Sequence, residues 1–388
     1  MQKHVVIITS SRAEWGLLYP VYCELKKLGI RTSVLATGSH LHSQSGFSVN
    51  EIEQCDVKSV VKVYITPEDP GLTDDQLMFR SMANAIVGLP EALQQLQPDL
   101  AIVLGDRYEI LAAALTCRLS GIRLAHISGG ELTLGAFDDQ LRHCITKLSD
   151  IHFTATGEYR RRVIQLGENP GMVYNVGELA LSGLSRLRYK NIAELEAIIQ
   201  RPLKDFFLLT VHPETCSPGA GLQIVELLLD LLPKEFSDTL LLFTAANADP
   251  EGNEINAMLA ERAVCEPSKI HFVKSLGRLN YLSAARYARC VIGNSSSGIA
   301  EIPAVGTPVV NIGRRQLGRP HGRAVISVAC SGDEIVDAVK KAADPKFREV
   351  IKSSEKLYAG EDAAVKISEI IALLDFKRIS REKVFFDC

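Results

Sequence analysis

Short, unbroken apolar runs alternate along this chain with stretches of helical period. Val5-Val6-Ile7-Ile8 and residues 32–36 read as buried strands, and between them residues 15–27 read as a helix stopped by Gly29. Residues 100–104 give a third strand, followed by an Ala/Leu-rich helix over 110–119 and a further strand over 123–127. Leu77, Met82, Ile86, Leu89, Leu93 and Leu96 share one helical face, with a kink or break expected at Pro90. A helical pattern also runs through Ile145 and Leu148. Strands that are apolar throughout and separated by helices imply a parallel sheet covered on both faces.

The pattern weakens between residues 180 and 202, where a helical segment rich in Leu and Glu intervenes, and restarts as a strand at 206–211. A second series follows: a helix over 222–232 and strands over 240–244, 270–273, 290–292 and 308–312. Ser331 with Glu334 three residues on predicts a capping box opening a helix through 339, and helical signals return over 363–374. The chain therefore reads as two doubly wound α/β halves. In such sheets ligands bind beyond the carboxyl ends of the strands, so with two halves the expected site is the cleft between them.

Composition narrows the classes. Of 388 residues, 46% are hydrophobic and 23% charged, enough for full cores. The formal net charge of −3 disfavours a nucleic-acid partner. Nine cysteines stand singly, with no Cys-x-x-Cys, which argues for free thiols in a reducing compartment and against a zinc ribbon. The first apolar run is too short for a signal-peptide core, and no run nears the ~20 residues of a membrane helix, so a cytoplasmic protein with no membrane partner is expected.

The polar residues that follow strands carry the chemistry. Thr9-Ser10-Ser11-Arg12 opens a helix and suits a phosphate, or serves as a plain N-cap beside a solvated arginine. No Gly-x-Gly-x-x-Gly fingerprint is present. Gly105-Asp106-Arg107 puts an acid at a strand end, as a ligand or catalytic group or as a helix cap. His126 to Glu131 brings a Gly-Gly pair and a second acid, with Asp138-Asp139 and Arg142-His143 just downstream. Converging carboxylates with a histidine and arginines suit paired acid and base work. In the second half, His212 ends a strand, with Pro213 fixing the turn. Gly293-Asn294-Ser295-Ser296-Ser297-Gly298 then runs from a strand into a helix that carries Glu301. Hydroxyls and amides at a helix N-terminus suit a diphosphate, Glu301 suits a ribose diol, and Arg314-Arg315 add charge. A nucleotide-sugar enzyme is the reading these positions support.

The chain resembles the UDP-N-acetylglucosamine 2-epimerases, and within them the hydrolysing branch of sialic- and legionaminic-acid synthesis. The matching residues are Ser11-Arg12-Ala13-Glu14, Gly38-Ser39-His40-Leu41, Gly105-Asp106-Arg107, His126 to Glu131, and Asp138-Asp139 with Arg142-His143 and Ile145-Thr146-Lys147. The matches continue with His212-Pro213, Gly293 to Glu301, and Gly306-Thr307-Pro308 through Arg315-Gln316-Leu317-Gly318-Arg319. They run from near residue 9 to near residue 323 and so cover most of the chain.

The resemblance implies a glycosyltransferase-B-like fold of two Rossmann-like domains. The domains are 1–185, with the tail 362–388 packing back on it, and the UDP-binding 186–361. It implies anti-elimination of UDP through a 2-acetamidoglucal, then water addition giving N-acetylmannosamine and UDP. UDP-N,N′-diacetylbacillosamine is the alternative substrate. The catalytic positions it assigns are Asp106, Glu131, Asp138 and His212. Those assigned to substrate and UDP are Ser11, Arg12, His40, Arg107, Arg142, His143, Asn294, Ser295, Ser296, Ser297, Glu301 and Arg315. No metal or cofactor is implied, and the family's dimers and tetramers imply a homo-oligomer. One departure stands out: many relatives carry glutamate before the Gly-Gly pair, where this chain has Ser128. Rival readings are a glycosyltransferase of the same fold, a non-hydrolysing epimerase and a non-enzymatic nucleotide-sugar sensor.

Overall fold

Six buried residues in succession, His4–Thr9, form strand β1 in the interior of the first sheet. In this computed structural model, which describes residues 2–43, 46–69, 71–247, 251–352, 357–380 and 382–387, the chain divides into two units. The first comprises Met1–Glu131, Asp138–Gly183 and Ala359–Cys388; the second comprises Leu132–Phe137 and Leu184–Tyr358. The loop 132–137, read from sequence as part of the first domain, thus belongs with the second unit. There Leu134 N–H donates to Leu317 O, and Cys216 N–H to Gly135 O.

The first sheet continues with β2 (Arg31–Ala36), β3 (Val60–Lys62), β4 (Leu100–Leu104), β5 (Arg123–Ile127), β6 (Ile151–Thr154) and β7 (Val173–Asn175). Its order is β3-β2-β1-β4-β5-β6-β7, and every pairing is parallel. The order reverses between β1 and β4, which is where a doubly wound sheet opens a crevice for ligand. The second sheet comprises β8 (Phe206–Thr210), β9 (Leu240–Thr244), β10 (Ile270–Val273), β11 (Val291–Gly293), β12 (Val309–Ile312) and β13 (Val325–Val328). It runs β10-β9-β8-β11-β12-β13, also parallel, and reverses between β8 and β11.

Helices of the first unit are α1 (Arg12–Lys27), α2 (Val49–Gln54), α3 (Asp74–Leu96), α4 (Tyr108–Leu119), α5 (Asp138–Leu148) and α6 (Gly157–Gln165). Those of the second are α7 (Ile192–Ile199), α8 (Ala220–Glu235), α9 (Gly252–Cys265), α10 (Gly277–Tyr287), α11 (Glu301–Ala304), α12 (Gly332–Ala343) and α13 (Pro345–Lys352). The last helix, α14 (Ala363–Leu373), returns to the first unit, where Ala364, Ile367 and Ile371 join Leu18, Val21 and Leu25 of α1 in one apolar core. No helix among the described residues is long and apolar enough to cross a membrane. The eight described cysteines are free thiols; Cys388 lies outside the described residues.

Neither a break at Pro90 nor a capping box at Ser331 is formed. Helix α3 runs unbroken through Pro90. A capping box at Thr73 and Gln76 starts it, Leu89 and Leu93 bury its inner face, and the carbonyl deprived of a donor belongs to Ile86, on the exposed side. Ser331 does N-cap α12, but its side chain accepts no cap bond; Glu334 reaches instead to Ala329 N–H at 3.2 Å.

Candidate active site

The crevice of the first unit is lined by charged side chains that are already paired. Asp106 follows β4 directly. It forms an ion pair with Arg142 of α5 rather than capping α4, whose N-cap residue is Arg107. Arg142 is 2% exposed, and its guanidinium also reaches Glu131 at 3.2 Å and Ser128 O at 3.2 Å. One buried arginine therefore gathers two of the predicted catalytic acids. Asp138, the third, opens α5 one turn before Arg142, so the two share a helix face. Acids in a first helical turn also meet the positive end of the helix dipole. His143, next on α5, is half-buried with Nε2 at 3.7 Å from Asp139, and desolvation lowers its pKa.

Backbone shape does part of this work. Ser128 has φ +67°, the left-handed region that a serine adopts at a cost, and its C=O is what Arg142 grips. Gly130 has φ +80°, and a Cβ there would lie 2.5 Å from Tyr159 O. Fully buried His126 donates from Nε2 to Gly105 O at 2.8 Å and meets Thr146 of α5 through Nδ1 at 3.1 Å. Burial holds it neutral, with a pKa of about 3. It joins the ends of β4 and β5 to α5.

Three residues that the resemblance assigns to substrate or UDP in this unit are bonded into the scaffold. His40 is buried between Thr9 Oγ1 (3.0 Å) and Ser48 Oγ (2.9 Å), and desolvation drops its pKa to about 4. Arg107 is held by the buried carboxylate of Glu109 through two 3.1 Å bonds, with Glu14 at 3.9 Å. Ser11 N-caps α1, accepting from Glu14 N–H. Arg12 is about half exposed and pairs with Glu51 at 2.8 Å. Glu14 itself, which the sequence marked only as part of a motif, accepts from both Ser10 N–H and Ser10 Oγ, and burial raises its pKa to about 7.

The second unit's crevice combines amides and hydroxyls with charged side chains that are paired or bonded to backbone. Asn294, after β11, is fully buried. Its amide accepts from His212 N–H at 2.7 Å and donates to His212 O at 2.9 Å, which locks the end of β11 to that of β8. Both of these side-chain bonds go to the scaffold. His212 accepts from Asn247 N–H at Nδ1 (3.0 Å), which leaves the proton on Nε2. Desolvation, then the Arg315 charge, lowers its pKa to about 3, so it is a fixed neutral donor. Arg315 donates to Asn294 O at 3.2 Å, and Gln316 does so at 2.9 Å.

The serine segment forms a single 3-10 turn, Ser296–Gly298, followed by α11 of only four residues. The helix expected after it is present but only one turn long, so it supplies little of a helix dipole. Hydroxyls take its place: Thr244 and Thr210 (2.6 Å), Thr210 and Tyr281 (3.5 Å), Tyr281 and Ser297 (3.3 Å), Ser297 and Ser295 (3.1 Å). Ser296 is exposed. Glu301 is tied to Arg278 at 3.0 Å, and desolvation still raises its pKa. Buried Glu214 accepts the Arg314 and Arg315 N–H groups at 2.8 and 3.1 Å, holding the turn after β12. Tyr281, Arg278 and Glu214 join this network without having been singled out as candidates in the sequence. Glu214 sits in the quoted strand end, but Tyr281 and Arg278 lie on α10 with no motif to mark them.

A model of the UDP-N-acetylglucosamine 2-epimerase family matches residues 24–372. The chain is 35% identical over 353 residues to the GDP/UDP-N,N′-diacetylbacillosamine 2-epimerase (hydrolyzing) of Campylobacter jejuni, covering 90% of this chain and 89% of that one. It is 33% identical to the polysialic acid biosynthesis protein P7 of Escherichia coli, covering 99% and 97%. Among solved structures, the Neisseria meningitidis UDP-GlcNAc 2-epimerase bound to UDP-GlcNAc has a TM-score of 0.76 at 19% identity, covering 95% of this chain and 99% of that one. That likeness shows a shared fold.

Proposed function

Because the chain belongs to the UDP-N-acetylglucosamine 2-epimerase family, we propose that it is a hydrolysing 2-epimerase of a UDP-linked 2-acetamido sugar, UDP-N-acetylglucosamine in the first instance. The observation that carries this reading is the buried Arg142 holding Asp106 and Glu131, with Asp138 on the same helix face. A carboxylate of this set takes the C2 proton. The C1–O bond to UDP breaks with its electrons going to the diphosphate, and a C1=C2 double bond forms. Water then adds its hydroxyl to C1, and a proton returns to C2 on the opposite face, releasing the epimerised sugar and UDP. General acid and base groups of this kind contribute about 10²–10⁴-fold each.

Leaving-group charge falls to the second unit. Arg315, the hydroxyls of Ser295 to Ser297 and neutral His212 Nε2–H are preorganised donors for a diphosphate. A histidine that stays neutral donates without adding a charge that titrates near pH 7. A second substrate, UDP-N,N′-diacetylbacillosamine, is favoured by one observation, the hydrolysing Campylobacter jejuni relative at 35% identity.

The test is turnover of both nucleotide sugars in deuterated water followed by NMR. UDP, a free sugar and one deuteron at C2 are expected, unchanged in EDTA. A UDP-linked product would overturn hydrolysis. A tenfold preference for the bacillosamine derivative would replace the first substrate by the second.

A further inference from the structure

Behind the acid cluster, the C-terminal end of α5 is finished by a residue from the far end of the chain. Lys383 Nζ donates to the carbonyls of Thr146 (3.3 Å), Lys147 (2.6 Å) and Ser149, and pairs with Glu168 at 2.8 Å. The last carbonyls of a helix lack intrahelical donors and gather partial negative charge, so an ammonium among them satisfies both needs. Glu168 is 3% exposed and is itself fixed by Lys147 Nζ (2.7 Å) and His152 Nε2 (2.9 Å).

The tail around Lys383 is seated as well. Phe386 N–H donates to Gly167 O at 2.9 Å, and Lys147 lies 5.0 Å over the Phe385 ring. That ring fills the space at Gly167, where a Cβ would come within 2.4 Å of it. Only glycine admits the tail there.

Helix α5 carries Asp138, Arg142 and His143. Thr146, whose carbonyl Lys383 takes, also meets His126, and His126 donates to Gly105 O beside Asp106. A continuous set of bonds therefore joins the tail to the strand end that bears Asp106. We propose that Lys383 is a positioning residue for the reaction. It fixes the C-terminal end of α5 and so the placement of Asp138 and Arg142 against Asp106 and Glu131, and it rests on the catalytic reading above. The tail's role is then to set the geometry of the acids, and UDP binding in the second unit does not depend on it.

The test compares Lys383→Met, Lys383→Arg and a chain ending at Ser380, in the full protein. Lys383→Met and the shortened chain should lose kcat by roughly 10-fold or more, within the ~10²-fold that a small misplacement costs. UDP affinity should stay within about threefold, since no tail residue is assigned to UDP. Lys383→Arg, which keeps charge and donors at the helix end, should recover most of kcat. Amides of α5 should exchange faster in Lys383→Met than in the wild type.

Turnover within twofold of wild type would overturn the proposal. So would UDP affinity falling in step with kcat, or loss of the folded first unit in both non-arginine variants, since the tail would then be a stability element only. A wild-type protein inert on both UDP sugars would sink the catalytic reading instead, while α5 exchange would still decide the clamp: faster in Lys383→Met supports it, unchanged overturns it.

Discussion

The two crevices occupy equivalent places, each at the point where its sheet reverses order, yet they are built from different materials. In the first unit the strand ends meet charged side chains that neutralise one another: Asp106 and Glu131 on Arg142, Glu109 and Glu14 about Arg107. In the second they meet amides and hydroxyls, with Asn294 and Glu214 holding backbone and Tyr281 linking Thr210 to the serines. Reactive carboxylates need their placement fixed before substrate arrives, and buried ion pairs fix it at the cost of leaving a charge stranded if either partner is lost. A diphosphate site, as proposed for the second unit, needs donors whose own charge does not shift with pH, and neutral hydroxyls with a histidine held near a pKa of 3 would provide that.

The sharpest way to break this contrast is to change one acid without changing shape. Asp106→Asn and Asp138→Asn should each cut turnover by about 10²–10⁴-fold, with UDP still bound at near wild-type affinity by isothermal titration. Near-normal turnover in both would remove the first unit's acids from the chemistry.

The converse change should separate binding from chemistry. Ser296→Ala combined with Glu301→Ala removes one exposed hydroxyl and one half-buried carboxylate from the second crevice. Hydrogen bonds involving charged groups are worth about 1.5–3 kcal/mol, so UDP affinity should fall by roughly 10-fold or more while the first unit's folding is untouched. A fall in kcat with unchanged UDP affinity would place these residues elsewhere in the reaction.

A smaller effect is expected from Asn294→Ala. It strips His212 of partners for both its N–H and C=O, and leaving such buried groups unsatisfied costs about 1–3 kcal/mol. Lower thermal stability with a modest loss of UDP affinity is expected. A large affinity loss without a stability loss would place Asn294 in direct ligand contact.

Much of this was legible in the sequence because the informative residues follow apolar strands. Residues 100–104, 123–127, 240–244 and 270–273 were read with the bounds the structure gives them. The strands that escaped notice are β3, β6, β7 and β13. Three-residue β3 and β7 lie at the ends of the first sheet and β13 at an end of the second, so their outer sides need not be apolar. In β6 the apolar run is broken by His152, whose partner Glu168 is far along the chain.

Candidate residues were legible by type and position, but their bonding partners were not. His40, Arg107 and Asn294 all stand where a ligand contact is expected, and each is already bonded within its unit: His40 to Thr9 and Ser48, Arg107 to its chain neighbour Glu109, and Asn294 to the His212 backbone. Spacing places a side chain at a strand end; it does not say whether a buried neighbour has already claimed it.

Glu14 gives the effect smallest on catalysis and most dependent on pH. Its carboxyl is buried, and desolvation outweighs the lowering influence of Arg107 and Ser10 to raise its pKa from 4.5 to about 7. A raised carboxyl pKa means that the folded chain holds this proton more tightly than the unfolded one. Below pH 4.5 both states are protonated, and the group costs nothing. Between pH 4.5 and about 7 the unfolded state has released its proton while the folded state keeps it, so this group's contribution falls as pH rises, and it levels off above 7. Glu14→Gln keeps the shape and an oxygen for Ser10 N–H but cannot ionise. Its melting temperature relative to wild type should therefore climb with pH across that window and then run parallel, with turnover at pH 7 changed by only about threefold. A difference between the two melting curves that stays constant from pH 4.5 to 8 would show that Glu14 does not titrate in this range, and would leave Arg107 and Glu109 to account for the first crevice's charge balance.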